Sequence, residues 1–243
     1  MNLIIDVGNS YVKLAVYSRN TLKEKVVVKH NEIVEGIFEL KSKYSTLKHG
    51  IISSVGHLNS EDFSNVEGLI NLLVLNSKTK LPFKNTYKTP HTLGVDRIAL
   101  VSASVKQFPN ENVLIIDAGT CITYDFINKE NEYLGGAISP GLRTRYKSLN
   151  NLTANLPLLE TELPKNIIGQ STEESIHSGV VTGILKELDG VIDEYKTKYL
   201  DLTVILTGGD ANFLSKQLKS SIFANSNFLL EGLNYILQFN SNE

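Results

Sequence analysis

Leu3-Ile4-Ile5-Asp6-Val7-Gly8 returns as Leu114-Ile115-Ile116-Asp117-Ala118-Gly119, identical at five of six positions and displaced by 111 residues. An aliphatic, β-branched run that ends in Asp-x-Gly reads as a buried strand stopped by a sharp turn. Each copy leads through polar residues into a second β-rich run, Tyr11–Tyr17 in the first and Cys121–Ile127 in the second. The same strand-turn-strand unit therefore opens each half of the chain. We read this as an internal duplication.

Outward from the two hairpins the pattern alternates strand and helix. Strands are expected at Lys23–Val28, Gly50–Ser53, Leu72–Leu75, Tyr133–Ile138 and Leu202–Leu206. Helices are expected at Glu32–Tyr44, Asp96–Phe108, Gly141–Leu152 and Phe228–Phe239. Apolar residues from Val180 to Tyr195 recur at i, i+3 and i+4, which predicts one long amphipathic helix over Thr172–Tyr199. Two similar α/β halves imply two domains meeting at a cleft, 1–111 and 112–243, with the boundary near the polar stretch Pro109–Asn112.

The chain has 243 residues, 42% of them apolar and 21% charged, as in ordinary soluble globular proteins. A net charge of −2 provides no basic field for nucleic acid or an anionic membrane, so neither is expected as a partner. Asp6, Asn9 and Lys13 interrupt any apolar leader, and a cytoplasmic protein is expected. The single cysteine, Cys121, excludes an internal disulfide and is read as a small packing residue. His30, His49, His57, His91 and His177 show no metal-ligand spacing and are assigned to the surface or loops.

Asp6-Val7-Gly8-Asn9-Ser10 suits a phosphate loop. Gly8 lets the backbone approach a bulky anion, while Asn9 and Ser10 add donors. Asp6 has the wrong sign for phosphate, which makes sense if it serves Mg²⁺ beside the nucleotide. Alone, the segment could equally be a hairpin turn. Its repetition at Asp117-Ala118-Gly119-Thr120 favours the phosphate reading, since two such loops form the clamp of actin and hexokinase. Leu206-Thr207-Gly208-Gly209-Asp210 adds a third element, where paired glycines after a strand admit an adenine or ribose against backbone. No P-loop and no Gly-x-Gly-x-x-Gly occurs.

In Tyr87-Lys88-Thr89-Pro90-His91-Thr92-Leu93-Gly94-Val95-Asp96-Arg97, a Pro- and Gly-shaped loop delivers Asp96 and Arg97 to a helix start. Asp there is an ordinary first-turn preference. It can also accept a hydroxyl proton, beside an Arg that offers a planar fork to a carboxylate. A base next to a carboxylate clamp is what a kinase of a hydroxy acid requires.

Five motifs in order, Asp6–Ser10, Tyr87–Arg97, Asp117–Thr123, Gly135–Gly141 and Gly169–Thr172, resemble those of the type III pantothenate kinases. The resemblance implies duplicated ribonuclease-H-like domains of the actin-like ATPase fold and ATP-dependent phosphorylation of pantothenate. It implies ATP binding by Asp6, Val7, Gly8, Asn9, Ser10, Tyr11, Val12 and Lys13, and by Thr120, with Gly208 and Gly209 added from the turn above. Tyr87, Gly94, Val95, Asp96, Arg97 and Thr172 would bind pantothenate, with Asp96 as general base. Asp6 would serve Mg²⁺ and Asp117 a monovalent cation, potassium or ammonium. A homodimer is also implied, and the broad stripe around Ile184 and Leu188 offers it an interface, with Glu187 on the polar side expected to tolerate Lys. For Thr172, the sequence Ser171-Thr172-Glu173-Glu174 fits a helix N-cap equally well. Two rival readings stand beside this one: another small-molecule kinase of the same fold, and a non-catalytic accessory regulator related to these kinases.

Overall fold

The computed structural model describes residues 1–54 and 60–241, so His57 lies outside the described residues. In chain order the elements are β1 (Asn2–Val7), β2 (Val12–Ser18), β3 (Thr21–Val28), α1 (Ile33–Lys43), β4 (His49–Ser54), α2 (Ser60–Leu69), β5 (Asn71–Val74), β6 (Lys84–Asn85) and α3 (Val95–Gln107). They continue with β7 (Asn112–Ala118), β8 (Cys121–Ile127), β9 (Glu132–Pro140), α4 (Leu142–Asn151), α5 (Thr172–His177), α6 (Gly183–Lys198), β10 (Leu202–Thr207), α7 (Ala211–Ser215), β11 (Phe223–Ala224) and α8 (Phe228–Ser241).

The chain groups into two compact units. One holds Met1–Pro109, Asn131–Tyr133 and Asn227–Glu243, and the other holds Asn110–Glu130 and Leu134–Ser226. The split falls near Pro109–Asn112, but α8, which the sequence reading places in the second half, belongs to the first unit.

In the first unit the strand order is β3-β2-β1-β4-β5. β2 lies antiparallel between β1 and β3, while β4 runs parallel to both β1 and β5. Side chains alternate across a strand, so Leu3, Ile5 and Val7 face one side, where they form a core with Ile33, Ile37 and Leu40 of α1. Ile4 and Asp6 face the other side, on which α8 packs against β1 and β4. Burial on both faces explains why β1 reads as an unbroken apolar run and not as an alternation. It also fixes which way Asp6 points.

The second unit repeats the plan in the order β11-β10-β7-β8-β9. β7 and β8 form the antiparallel hairpin, and β10 runs parallel to β7 as β4 does to β1. Helix α6 closes one face. Ile184, Leu188 and Ile192 are each 0% exposed, and Leu185, Val191 and Tyr195 pack against the same core.

Three expectations change here. The helix expected over Thr172–Tyr199 runs to Lys198 and passes through a π-helical segment at Ser178–Thr182. Ile184 and Leu188 of its apolar stripe are buried inside their own unit, so a charge at either would disrupt the core. Cys121, expected to pack, is exposed.

Candidate active site

In the first unit Asp6 ends the inner strand. Register sets Lys13 of β2 on one flank and Ser53 of β4 on the other. Lys13 Nζ lies 3.2 Å from Asp6 Oδ2. Burial pushes the Asp6 carboxyl above its usual range; the Lys13 charge opposes this, and the nearby charge of Asp96 adds to it. Asp6 is thus a buried acid held close to a second acid, with one ammonium only partly offsetting the cost.

The turn after Asp6 is pinned twice: the Gly8 amide donates to Tyr11 O at 3.1 Å, and His30 Nε2 donates to Gly8 O at 2.9 Å. Asn9, Ser10 and Tyr11 are exposed, as donors to an incoming anion must be. Val7 and Val12 are fully buried, so they can offer a ligand only backbone groups. Sequence spacing assigns His30 only to the surface or loops, because its contact with Gly8 spans 22 positions.

Helix α3 starts at Val95 with Gly94 as its N-cap, so Asp96 is the second helical residue and not the cap. Asp96 Oδ1 accepts from the Arg97 amide at 2.8 Å, satisfying one of the donors a helix start leaves open. A Cβ on Gly94 would sit 2.3 Å from that oxygen, so the bare glycine makes room for the carboxylate. Arg97, the expected fork, is 5% exposed. Its guanidinium lies 5.6 Å from the centroid of the Tyr87 ring, which stacks on Tyr133 at 6.0 Å and 30°. The cation is sheltered against aromatic faces, where an attraction to an incoming anion is screened less than at the surface.

The second unit gathers its own set. Asp117 ends β7 at the position Asp6 takes in β1, flanked in register by Thr123 and Thr207. The Gly119 amide donates to Cys121 O at 2.9 Å, closing the turn. Gly208 has φ +96°, and a Cβ there would come within 2.3 Å of Ala118 O and 2.4 Å of Asp117 Oδ1. The Asp210 amide donates to Ala118 O at 3.0 Å, so the Gly208-Gly209 turn is laced directly to the Asp117 loop. Gly209 itself is exposed. Burial raises the Asp210 carboxyl, with Arg143 opposing.

Sequence reading underrated the start of α4. The Gly141 amide donates to Thr120 O at 3.1 Å, and Thr144 Oγ1 donates to the same oxygen at 2.6 Å. Thr172 stands elsewhere in this unit, exposed on a groove shared with Leu149, Leu156, Gly169 and Ser175. Nor is it the cap of its helix: Ser171 Oγ accepts from the Glu174 amide at 3.2 Å. Glu187 also departs from expectation. Its carboxylate pairs with Arg145 and accepts from Tyr124 OH at 2.8 Å, so Lys in its place would set two cations together.

Among the described residues no cluster of three or more His, Cys, Asp or Glu side chains could hold a metal ion. A divalent cation would therefore rely on ligand oxygens, and Asp6, a carboxyl whose charged form burial disfavours, is the side chain here suited to serve one. No helix among these residues is long and apolar enough to cross a membrane.

Comparison with known proteins identifies the family. Residues 2–194 match the family model of type III pantothenate kinase. The chain is 53% identical over its full length to a type III pantothenate kinase of Christiangramia forsetii, covering all of that protein too. It is 48% identical to one of Flavobacterium johnsoniae, over 98% of both chains. Among solved structures it is similar to a Baf family transcriptional activator of Campylobacter jejuni, at 22% identity and a TM-score of 0.65, covering 99% of this chain and 100% of that one. A glucokinase from an Antarctic psychrotroph superposes with a TM-score of 0.55 at 10% identity, over 98% of each chain. The structural likenesses establish the fold expected from sequence, the duplicated α/β fold of sugar kinases and actin-like ATPases. The chain belongs to the type III pantothenate kinases.

Proposed function

We infer that the chain transfers the γ-phosphoryl group of ATP to the hydroxyl of pantothenate, giving 4'-phosphopantothenate at the first step of coenzyme A biosynthesis, and that Asp96 is its general base. The observation that carries the residue assignment is the placement of Asp96. Its carboxylate is fixed by the Arg97 amide, given room by Gly94, and close enough to Asp6 for its charge to act on the Asp6 carboxyl. Phosphoryl transfer needs little covalent help from a protein; it needs an in-line hydroxyl and relief of charge on the phosphates.

Asp96 orients the pantothenate hydroxyl and accepts its proton as the new O–P bond forms. Arg97, with Tyr87, Gly94 and Val95 around it, receives the pantothenate carboxylate, and Thr172 contributes a hydroxyl to the same substrate. The Asp6–Lys13 turn binds ATP phosphates through the Gly8 region backbone, Asn9, Ser10 and Lys13. Asp6 serves Mg²⁺, which supplies electrostatic relief to the phosphates when bound. In the second unit Thr120, Gly208 and Gly209 contact ATP, and Asp117 binds potassium or ammonium. The working form is a cytoplasmic homodimer without nucleic-acid or membrane partners, a reading supported by the family and by the net charge of −2.

A coupled assay of ADP release with and without pantothenate tests the reaction. ADP release that is indifferent to pantothenate would refute it. Repeating the assay in potassium, ammonium, sodium and a bulky organic cation tests Asp117: potassium and ammonium should support turnover, with sodium a poor substitute. Light scattering over a dilution series tests the dimer.

A further inference from the structure

The polar network around Arg145 lies outside every residue assigned above, yet it ends on the turn that touches Thr120. Arg145 Nε donates to Pro140 O at 2.9 Å, and Arg145 Nη2 donates to Ser139 Oγ at 3.0 Å. The same Nη2 pairs with Glu187 of α6, whose other carboxylate oxygen accepts from Tyr124 OH of β8 at 2.8 Å. One guanidinium therefore joins the end of β9, the first turn of α4, α6 and β8.

The network is sheltered as well as connected. The Arg145 and Glu187 side chains are 22% and 27% exposed. Burial raises the Glu187 carboxyl, but hydrogen bonds from Arg145, Ser139 and Tyr124 together with the Arg145 charge outweigh it, so the acid is held below its ordinary range. An ion pair with all its acceptors engaged is a rigid tie, unlike a surface pair.

What it ties is specific. Gly141 directly follows the carbonyl that Arg145 holds, and the Gly141 amide reaches Thr120 O at 3.1 Å. A Cβ on Gly141 would meet Gly119 O at 2.0 Å, so this turn and the second Asp-x-Gly loop are in van der Waals contact. A shift of the Pro140–Gly141 peptide must be transmitted to Gly119 and Thr120.

We propose that Arg145 and Glu187 are positioning residues for nucleotide binding, acting through Pro140–Gly141 on the Gly119–Thr120 loop; this rests on the assignment of Thr120 to ATP. Arg145 is suited to it because only a planar fork can reach Pro140 O, Ser139 Oγ and Glu187 together.

The test compares Glu187→Gln, Arg145→Lys, their double variant, the milder Tyr124→Phe, and Thr120→Ala in steady-state kinetics with both substrates varied. The clamp variants should raise the KM for ATP roughly tenfold, the scale of a small misplacement of a binding group, while the KM for pantothenate stays within about twofold. The double variant should be no worse than the worse single one, because both break one tie. Tyr124→Phe removes one hydrogen bond and should show a smaller effect of the same kind, which keeps the test alive if a charge variant fails to fold. If Thr120→Ala raises the KM for ATP while folded clamp variants leave it unmoved, the inference is wrong and the Thr120 assignment stands. If Thr120→Ala itself leaves the KM for ATP unmoved, the assignment and the inference fall together.

Discussion

Lys13 Nζ stands 3.2 Å from Asp6 Oδ2, across the mouth of the first hairpin, yet the Asp6 carboxyl still lies above its ordinary range. Burial therefore outweighs the ion pair. A carboxyl whose folded pKa is raised contributes stability below its unfolded pKa and loses it as pH rises through the folded value. Asp6→Asn should consequently gain melting temperature over wild type as pH is raised from 4 to 7.5 in metal-free buffer, while losing turnover. Lys13 would not offset the gain, since its side chain is 44% exposed and remains solvated without a partner. An Asp6→Asn protein that is less stable than wild type at neutral pH would contradict this balance.

Asp96→Asn should fold as wild type does, because the Asn carbonyl oxygen can still accept from the Arg97 amide. Loss of the base should lower kcat by about 10²–10⁴-fold. Gly94→Ala provides an independent check. Alanine suits the backbone there, at φ −56° and ψ 135°, but its methyl would displace the Asp96 carboxylate. A fall in kcat with the KM for ATP preserved is expected, and full turnover in Gly94→Ala would remove Asp96 from the reaction.

Arg97→Lys keeps the charge but loses the fork. The KM for pantothenate should rise roughly tenfold, the worth of a charge-assisted hydrogen bond of about 1.5 kcal/mol. Because Arg97 is 5% exposed against the Tyr87 ring, the melting temperature should also fall. If only the KM for ATP moved, Arg97 would belong with the phosphates.

Gly208→Ala is expected to be costly on two counts. Its φ of +96° is poorly tolerated by a side chain, at roughly 1–3 kcal/mol. The methyl would also press on Ala118 O, a backbone atom that cannot swing away. Thermal unfolding should show the loss, and the KM for ATP should rise with it. A variant with unchanged melting temperature would mean the turn can flip without consequence.

Much of the fold was legible because strands covered on both faces, such as β1 and β7, spell themselves as apolar runs and because the hairpin is written twice. The turn residues were legible for the same reason: Asp, Gly and small polar side chains at a strand end have few other uses. Periodicity, however, reports which residues are apolar and not what they meet. It saw the stripe on α6 but not that Ile184 and Leu188 fill their own unit, and it placed Glu187 on a polar face without seeing Arg145, 42 positions away. The π segment at Ser178–Thr182 left no mark because it changes hydrogen bonding and not residue type. The shelter around Arg97 was illegible for a related reason. A charged residue is expected outside, and only the Tyr87–Tyr133 stack shows how it is sheltered.

The placement of α8 in the first unit sets an order for the nascent chain. Helices α3 and α8 pack together, with Ile98, Leu100 and Val101 buried on one and Leu230, Leu233 and Ile236 on the other. At the usual pace of translation the ribosome needs on the order of ten seconds to travel from the end of α3 to the end of α8. During that interval β1 and the Asp6 turn already exist, but the helix that covers their sheet does not. The second unit has all its residues before α8 emerges. The unit begun first is thus the last to close, and a chain cut short before Phe228 would carry an Asp6 loop on a strand stripped of its α8 cover.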